Sequence, residues 1–184
     1  MRELLSRFFN RILLFFTKHL SIPLLIRLFA FPFHPLAMQA AHALQEKEAF
    51  QKGLLEGCDL SGAKLNQVTL ATARLKGCHF NEASLEGAYF HKADLEGANF
   101  SKAMLKQANF REANCQNCNL TEANLQYANL ARADFRGVNF AKADLRQANI
   151  WQTQLEGADL REANLEGLDL SQAITDRTTQ LPSI

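Results

Sequence analysis

The chain has few of the residues that usually announce chemistry. Its 184 residues include four Cys, one Trp and two Tyr. Four thiols in a chain this long do not make the disulfide framework of a small secreted fold. The formal charge is only +1, so no field of one sign is available to bind nucleic acid or to imitate it. No G-x-S-x-G, H-E-x-x-H, P-loop or G-x-G-x-x-G occurs, which removes the familiar signatures of hydrolases, zincins and nucleotide-binding folds. Within residues 1–30 no run of 18 residues is free of charge, which argues against a transmembrane span. His19, His34 and His42 lack ligand spacing, and His79 and His91 fall on different sides of the repeat described next. No catalytic residue, cofactor or metal site is expected.

What is present is a repeat. From Leu55 to about Ala173, Leu or Phe recurs every five residues, at 60, 65, 70 and onward to 110. After Cys115 the series resumes at 120 and passes through Ile150 to 170. Two residues before each stands a small residue, mostly Ala, with Cys58, Val68, Cys78, Cys118, Val138 and Thr153 as substitutes. A five-residue period fits neither the helix nor the strand. Asn or Asp before the large residue, and frequent Gly two after it, favour a chain that turns a corner at every repeat.

The motif A-[DN]-[LF]-x-x, seen as Ala93-Asp94-Leu95-Glu96-Gly97 and Ala158-Asp159-Leu160, resembles the pentapeptide-repeat family. The resemblance implies an all-β fold, a right-handed quadrilateral β-helix with four repeats per coil. The Leu/Phe and the preceding Ala would point inward and the other three positions outward. About six coils would give a rod roughly 29 Å long.

A 20-residue coil can be tested within the sequence. Gly62, Glu82, Lys102, Glu122, Lys142 and Glu162 form one column, and from Glu82 onward its signs alternate. Glu56, Lys76, Glu96, Gln116, Arg136, Glu156 and Asn66, Glu86, Lys106, Gln126, Arg146, Glu166 are two more in which like charges rarely stack. This is the pairing expected between adjacent strands. Gly57, Gly77, Gly97, Gly137 and Gly157 form a further column, with Asn117 in the gap, as a left-handed corner requires. The frame also absorbs the Cys115–Cys118 C-x-x-C. Both should face inward as small core side chains, and Cys58 and Cys78 should stack as free thiols in adjacent coils.

The first fifty residues differ. They carry Arg2, Arg7, Arg11, Lys18, Arg27 and Lys47 against Glu3, Glu46 and Glu48, about +3, leaving about −2 for the rest. Residues 3–22 are predicted to be a helix. Phe8, Phe9, Ile12, Phe15 and Phe16 lie on its apolar side, and Arg7, Arg11 and Lys18 on its basic one. Pro23 breaks it. The expected organisation is an apolar, basic amphipathic segment (1–35), a capping helix (36–52), the repeat (53–173) and a tail or cap (174–184). The first segment either docks on a membrane surface through those residues, docks on a partner, or packs on the end of the repeat, which needs a cap.

The exceptions to a solvated wall are outward aromatics. Trp151, Tyr89 and Tyr127 point out, and Trp151 and Tyr127, with Arg132, Arg111 and Arg136 nearby, are candidate anchors for a protein partner. The expected function is a non-catalytic scaffold in the cytoplasm, peripheral to the membrane, that binds a protein of unknown identity. A homodimer through the C-terminal end is a further expectation. The family suggests an alternative, imitation of DNA to bind and protect a type II topoisomerase, which the mixed surface charge disfavours. A secreted bacterial effector is the other alternative.

Overall fold

The computed structural model describes residue 53 and residues 55–182. The expected helices over 3–22 and 36–52, and with them Phe8, Phe9, Ile12, Phe15, Phe16, Arg7, Arg11 and Lys18, lie outside these residues.

Each repeat makes one extended stroke and one corner. The stroke is the Ala, the Asn or Asp, and the large core residue. Its middle residue forms a parallel bridge with the residue 20 later. Asp59 pairs with His79, His79 with Asn99, and the series runs on through Asn119 and Asn139 to Asp159. Because every repeat bridges to the fourth repeat after it, the walls number four. They are named here by their core residues: face A from Leu60, face B from Leu65, face C from Leu70 and face D from Leu55. This four-sided parallel coil is consistent with the quadrilateral β-helix the repeat led us to expect.

The corner is closed three ways. The carbonyl of the core residue accepts the N–H three residues on, as Phe80 does from Ala83 at 3.0 Å. The second corner residue is left-handed, and its N–H bonds to the next coil, as Glu82 does to the Ser101 carbonyl at 2.9 Å. That leaves the first corner N–H, and here the Asn/Asp column has its reason. Asn129 Oδ1 accepts from Ala131 N–H at 3.1 Å, Asn149 Oδ1 from Trp151 N–H at 3.1 Å, and Asp159 Oδ1 from Arg161 N–H at 3.1 Å. A turn made this way satisfies a donor that the ladder leaves over. Where Ser84 replaces the Asn, Asn66 of the preceding coil supplies the acceptor for Glu86 N–H at 3.0 Å.

The left-handed position is more general than its glycines. Gly57, Gly77, Gly97, Gly137, Gly157 and Asn117 adopt it as expected, but so do Glu82, Lys102, Glu122 and Lys142. The inter-coil bond holds the position even where a Cβ disfavours it. A Cβ at Gly137 would lie 2.7 Å from Asn117 Oδ1 and require that side chain to turn, whereas at Gly97 it would meet nothing within 4 Å.

Inside, the large residues form four columns. Phe80 stacks on Phe100 and Phe90 on Phe110, both with ring centroids 4.8 Å apart. This is the strand-pairing distance between coils. Faces A and C oppose each other across the interior, so Phe100 also meets Phe90 and Phe110 edge-on, at 5.8 Å each. Cys115 occupies a large-residue position, and in the next coil Phe135 fills that column and reaches Phe110, centroids 6.0 Å apart. Polar substitutes in the Ala column find a partner. Thr153 Oγ1, Cys78 Sγ and Cys118 Sγ each donate to a core carbonyl 23 residues earlier, at 2.9, 2.8 and 3.0 Å.

Some expectations are corrected. Cys58 is only half-buried, although Leu55 and Leu60 on either side of it are fully buried. Leu165 and Leu170, though in the core series, are also half-buried. The regular repeat gives way to a single 3-10 turn, Leu170–Gln172, capped by Asp169, whose side chain accepts from Ser171 N–H. Beyond it Ile174 bridges to Gln154 on face D, and Gln180 bridges to Asp159 on face A. The latter pair is 21 residues apart rather than 20, so one residue has been inserted. Asp176 absorbs it by accepting from Thr178 and Thr179 N–H at 2.9 and 3.1 Å. Thr179 Oγ1 then donates to the Leu155 carbonyl at 2.9 Å.

The charge columns pair, but only in part as their alternation implies. Lysines bridge coils: Lys76 to Glu96 at 2.8 Å, Lys92 to Glu112 at 3.5 Å and Lys142 to Glu162 at 3.8 Å. Arg74 also crosses, to Glu56 of the preceding coil at 2.9 Å, but three other arginines turn back. Arg136, Arg146 and Arg161 each fork onto the Asp two residues before, at 2.6, 2.8 and 2.7 Å. That carboxylate is already held by the arginine's own N–H, so the planar fork needs little further ordering to meet both oxygens.

Candidate partner-binding face

All three exposed aromatic residues described lie on or beside face C. Tyr89, 40% exposed, stands on its flat strip. Tyr127, 55% exposed, is at the corner leading into it from face B. Trp151, 49% exposed, is at the corner leading out towards face D. Between the corners run Asn109, Asn129 and Asn149, one per coil. Their side-chain oxygens are turned to the corner N–H groups, so the strip is flat, polar and uncharged.

The four candidate anchors divide between these corners. Arg111 and Trp151 belong to one column, 40 residues and therefore two coils apart, with the buried Ala131 between them. Arg132 is in the adjacent column, and its N–H bonds to the Trp151 carbonyl at 2.9 Å. These three share the corner between faces C and D. Tyr127 is on the other corner, a strip's width away, and Arg136 is on the next corner round, between faces D and A.

Around Tyr127 lies a shallow depression of about 210 Å³ lined by Gln126, Arg146, Gln147 and Glu166. Lys106 Nζ sits 5.8 Å from the Tyr127 ring centroid, a cation–π distance. The wall beside it is stiffened by Asp144, which accepts from Arg146 Nη2 at 2.8 Å and from Gln126 Nε2 at 2.6 Å. The hydrogen bonds from Arg146 hold the Asp144 carboxyl at about 2, against an ordinary 3.8. A carboxylate with a depressed folded-state value contributes stability above its unfolded value and loses it as the pH falls through about 4 towards 2. Asp144→Asn is therefore expected to lose less stability than the parent between pH 4 and pH 2, read as the shift in urea midpoint. Equal shifts in the two chains would show that this carboxylate is not held as described.

The other corner is electrostatically distinct. Lys92 and Arg111 both pair with Glu112, at 3.5 and 3.0 Å, and Arg132 lies one coil below. Burial pushes the Glu112 carboxyl up, but Lys92, Arg111 and Arg132 together bring it below its ordinary value. Counting Lys92, Arg111 and Arg132 against Glu112, this corner column pair carries +2. From residue 53 onward the chain has 13 Lys/Arg and 16 Asp/Glu, −3 in all, so the rest of residues 53–184 sums to −5. Lys92 and Glu112 were not among the sequence-derived candidates. The signal was available, since 72, 92, 112 and 132 are one 20-residue column.

The cysteines offer no comparable site. Cys115 and Cys118 are buried, and all four thiols are free. Burial, reinforced by a hydrogen bond with Cys118, pushes the Cys115 thiol well up, and burial carries Cys78 up to about 12. High values withhold the reactive thiolate. Among the described residues there is no group of three or more His, Cys, Asp or Glu able to hold a metal, and no helix long and apolar enough to cross a membrane.

The repeat geometry has a counterpart among known families. The family model for pentapeptide repeats matches in eight copies, over residues 54–91, 70–107, 103–141, 113–152 and 139–174. The chain belongs to the pentapeptide-repeat family. Similar solved structures include a pentapeptide-repeat protein of the Arabidopsis thaliana thylakoid lumen, AT2G44920. It is 34% identical over 55% of this chain and 64% of that one, with a TM-score of 0.39. HetL of Nostoc sp. strain PCC 7120, involved in heterocyst differentiation regulation, is 24% identical over 69% of this chain and 81% of that one, with a TM-score of 0.27. QnrB1, a plasmid-mediated fluoroquinolone resistance protein, is 14% identical over 67% of this chain and 86% of that one, with a TM-score of 0.38. No functionally curated protein matches this pentapeptide-repeat chain.

Proposed function

We propose that this pentapeptide-repeat protein is a non-catalytic scaffold that binds a protein partner through face C. One observation carries the reading: Tyr89, Tyr127 and Trp151 all border the same wall, and none borders face A or D alone. Rigid aromatics around a flat polar strip give anchoring area at little entropic cost. Among the described residues the interior is filled mainly by Leu, Phe and Ala, which supports a role carried by the outer walls.

The test is recovery of cross-linked partners with the full chain and with Tyr127→Ser/Trp151→Ser. Both side chains are exposed, so the variant is expected to keep the parent's circular dichroism and lose the partner. A partner retained at parental yield would sink the face-C reading. Mass by light scattering separates a foreign partner from a second copy stacked at the C-terminal end, where Leu165, Leu168 and Leu170 are half-buried.

The basic apolar segment 1–35 supports a second element of the reading, placement of the rod at a membrane surface from the cytoplasmic side. Co-sedimentation with anionic vesicles is expected for the full chain and not for a chain beginning at Leu36. Equal behaviour of the two would remove the membrane element and leave the scaffold. Imitation of DNA is not favoured, because a +2 corner and lysine–glutamate ladders interrupt any continuous negative surface.

A further inference from the structure

The corner between faces C and D collects the only net positive charge of the four corners. In the columns at residues 61–62 and 66–67, acidic and basic side chains balance. At 56–57 the acidic side is ahead by one: Glu56, Glu96 and Glu156 against Lys76 and Arg136. At 71–72 the order down the rod is His91-Lys92, Arg111-Glu112, Ala131-Arg132 and Trp151-Gln152. Lys92 and Arg111 share one carboxylate, and among the described residues Arg132 forms no ion pair. The corner thus presents uncompensated cations on successive coils and ends on an exposed indole.

We infer that this corner binds an acidic polypeptide segment laid along the rod axis, with Trp151 packing against its end. The inference rests on the scaffold reading and names the chemistry of its partner. Spacing narrows the segment further. Coils repeat at 4.8 Å, as the stacked Phe rings record, so Lys92 and Arg132, two coils apart, repeat at about 9.6 Å along the axis. A β-strand puts residues i and i+3 on opposite faces. A polyproline II segment has three residues per turn and about 3.1 Å per residue, so i and i+3 lie on one side about 9.3 Å apart. Acidic residues at every third position of such a segment match the cations of this corner. The apolar residues between them suit an aromatic flank. Within the repeat, the −5 that residues 53–184 carry outside this corner repels an acidic partner from the other walls.

Trp151 is the only tryptophan, so its emission reports on this corner directly. The full chain is titrated with the unlabelled peptide (Glu-Pro-Pro)4, with (Lys-Pro-Pro)4, and with a 12-residue oligothymidylate. Saturable change in Trp151 emission with the Glu peptide alone, weakened by added salt, is the expected result. Arg111→Glu/Arg132→Glu is expected to weaken it at least tenfold, whereas Lys102→Glu, on another corner, is expected to leave it unchanged. Should the double variant melt below the parent, Arg132→Gln, which only removes charge, takes its place and is expected to weaken binding several-fold. Equal response to the Glu and Lys peptides, tighter binding of the oligonucleotide, or indifference to both arginine variants would overturn the inference. A protein partner that is lost in the Tyr127→Ser/Trp151→Ser test yet binds the arginine variants normally would overturn it too, while leaving the scaffold reading in place.

Discussion

Phe100→Ala is expected to cost about 3–5 kcal/mol, the range for deleting a buried ring from a core that collapses only partly. Phe100 is 1% exposed, stacks at 4.8 Å on Phe80 and meets Phe90 and Phe110 edge-on at 5.8 Å. Its neighbours cannot close the gap, because every coil is tied to the next by backbone hydrogen bonds at the 4.8 Å rise. In a repeat protein each coil is stabilised by its neighbours, so a void in the middle weakens two interfaces at once. Phe100→Leu should cost less than about 1.5 kcal/mol, since Leu60 and Leu120 already occupy the same column. Urea unfolding followed by far-ultraviolet circular dichroism checks both. Coincident midpoints for the Ala and Leu variants would show that the rings do not carry the stability assigned to them.

Ala108→Leu is expected to be destabilising by about 1–3 kcal/mol or more, through overpacking. Ala108 is fully buried beside Phe110. Its N–H bonds to Leu105 at 3.0 Å and its carbonyl accepts from Asn129 at 2.9 Å, so the backbone cannot retreat to make room. Ala141 is an alanine of the same chain at an outward corner position, and only partly buried. Ala141→Leu should change stability by no more than about 0.5 kcal/mol. The pair tests the inward and outward assignments together, and an unchanged melting temperature for Ala108→Leu would refute them.

Much of this was legible without coordinates. A large apolar residue every five positions, with a small one two before it, states which two side chains of each repeat face inward. The alternation of Glu82, Lys102, Glu122 and Lys142 states independently that 20 residues make one coil. Cys115 and Cys118 lose their apparent chemistry for the same reason, because both fall on inward positions. The four anchor candidates were less legible. Exposure could be assigned from the repeat frame, but not that Tyr127 and Trp151 flank one wall from opposite corners, with Tyr89 on the strip between them. Lys92 and Glu112 join the site only when 92, 112 and 132 are stacked as one column beside Arg111 and Trp151.

The sequence alone determines what repeats: the period, the inward columns and the height of each residue on the rod. These follow from local sterics and burial, which recur identically at each coil. The tertiary structure decides what does not repeat. It sends Arg136, Arg146 and Arg161 back to their own aspartates, while Lys76, Lys92 and Lys142 cross to the next coil. A guanidinium fork two residues from a held carboxylate has the shorter path, and a lysine ammonium reaches along the 4.8 Å rise. It also makes the second corner residue left-handed whether or not glycine is present, and in most coils a bond such as Glu82 N–H to the Ser101 carbonyl holds it there. And it sets three aromatics around one wall and a positive charge on one edge of it, a grouping that exists only once residues 20 and 40 apart are stacked.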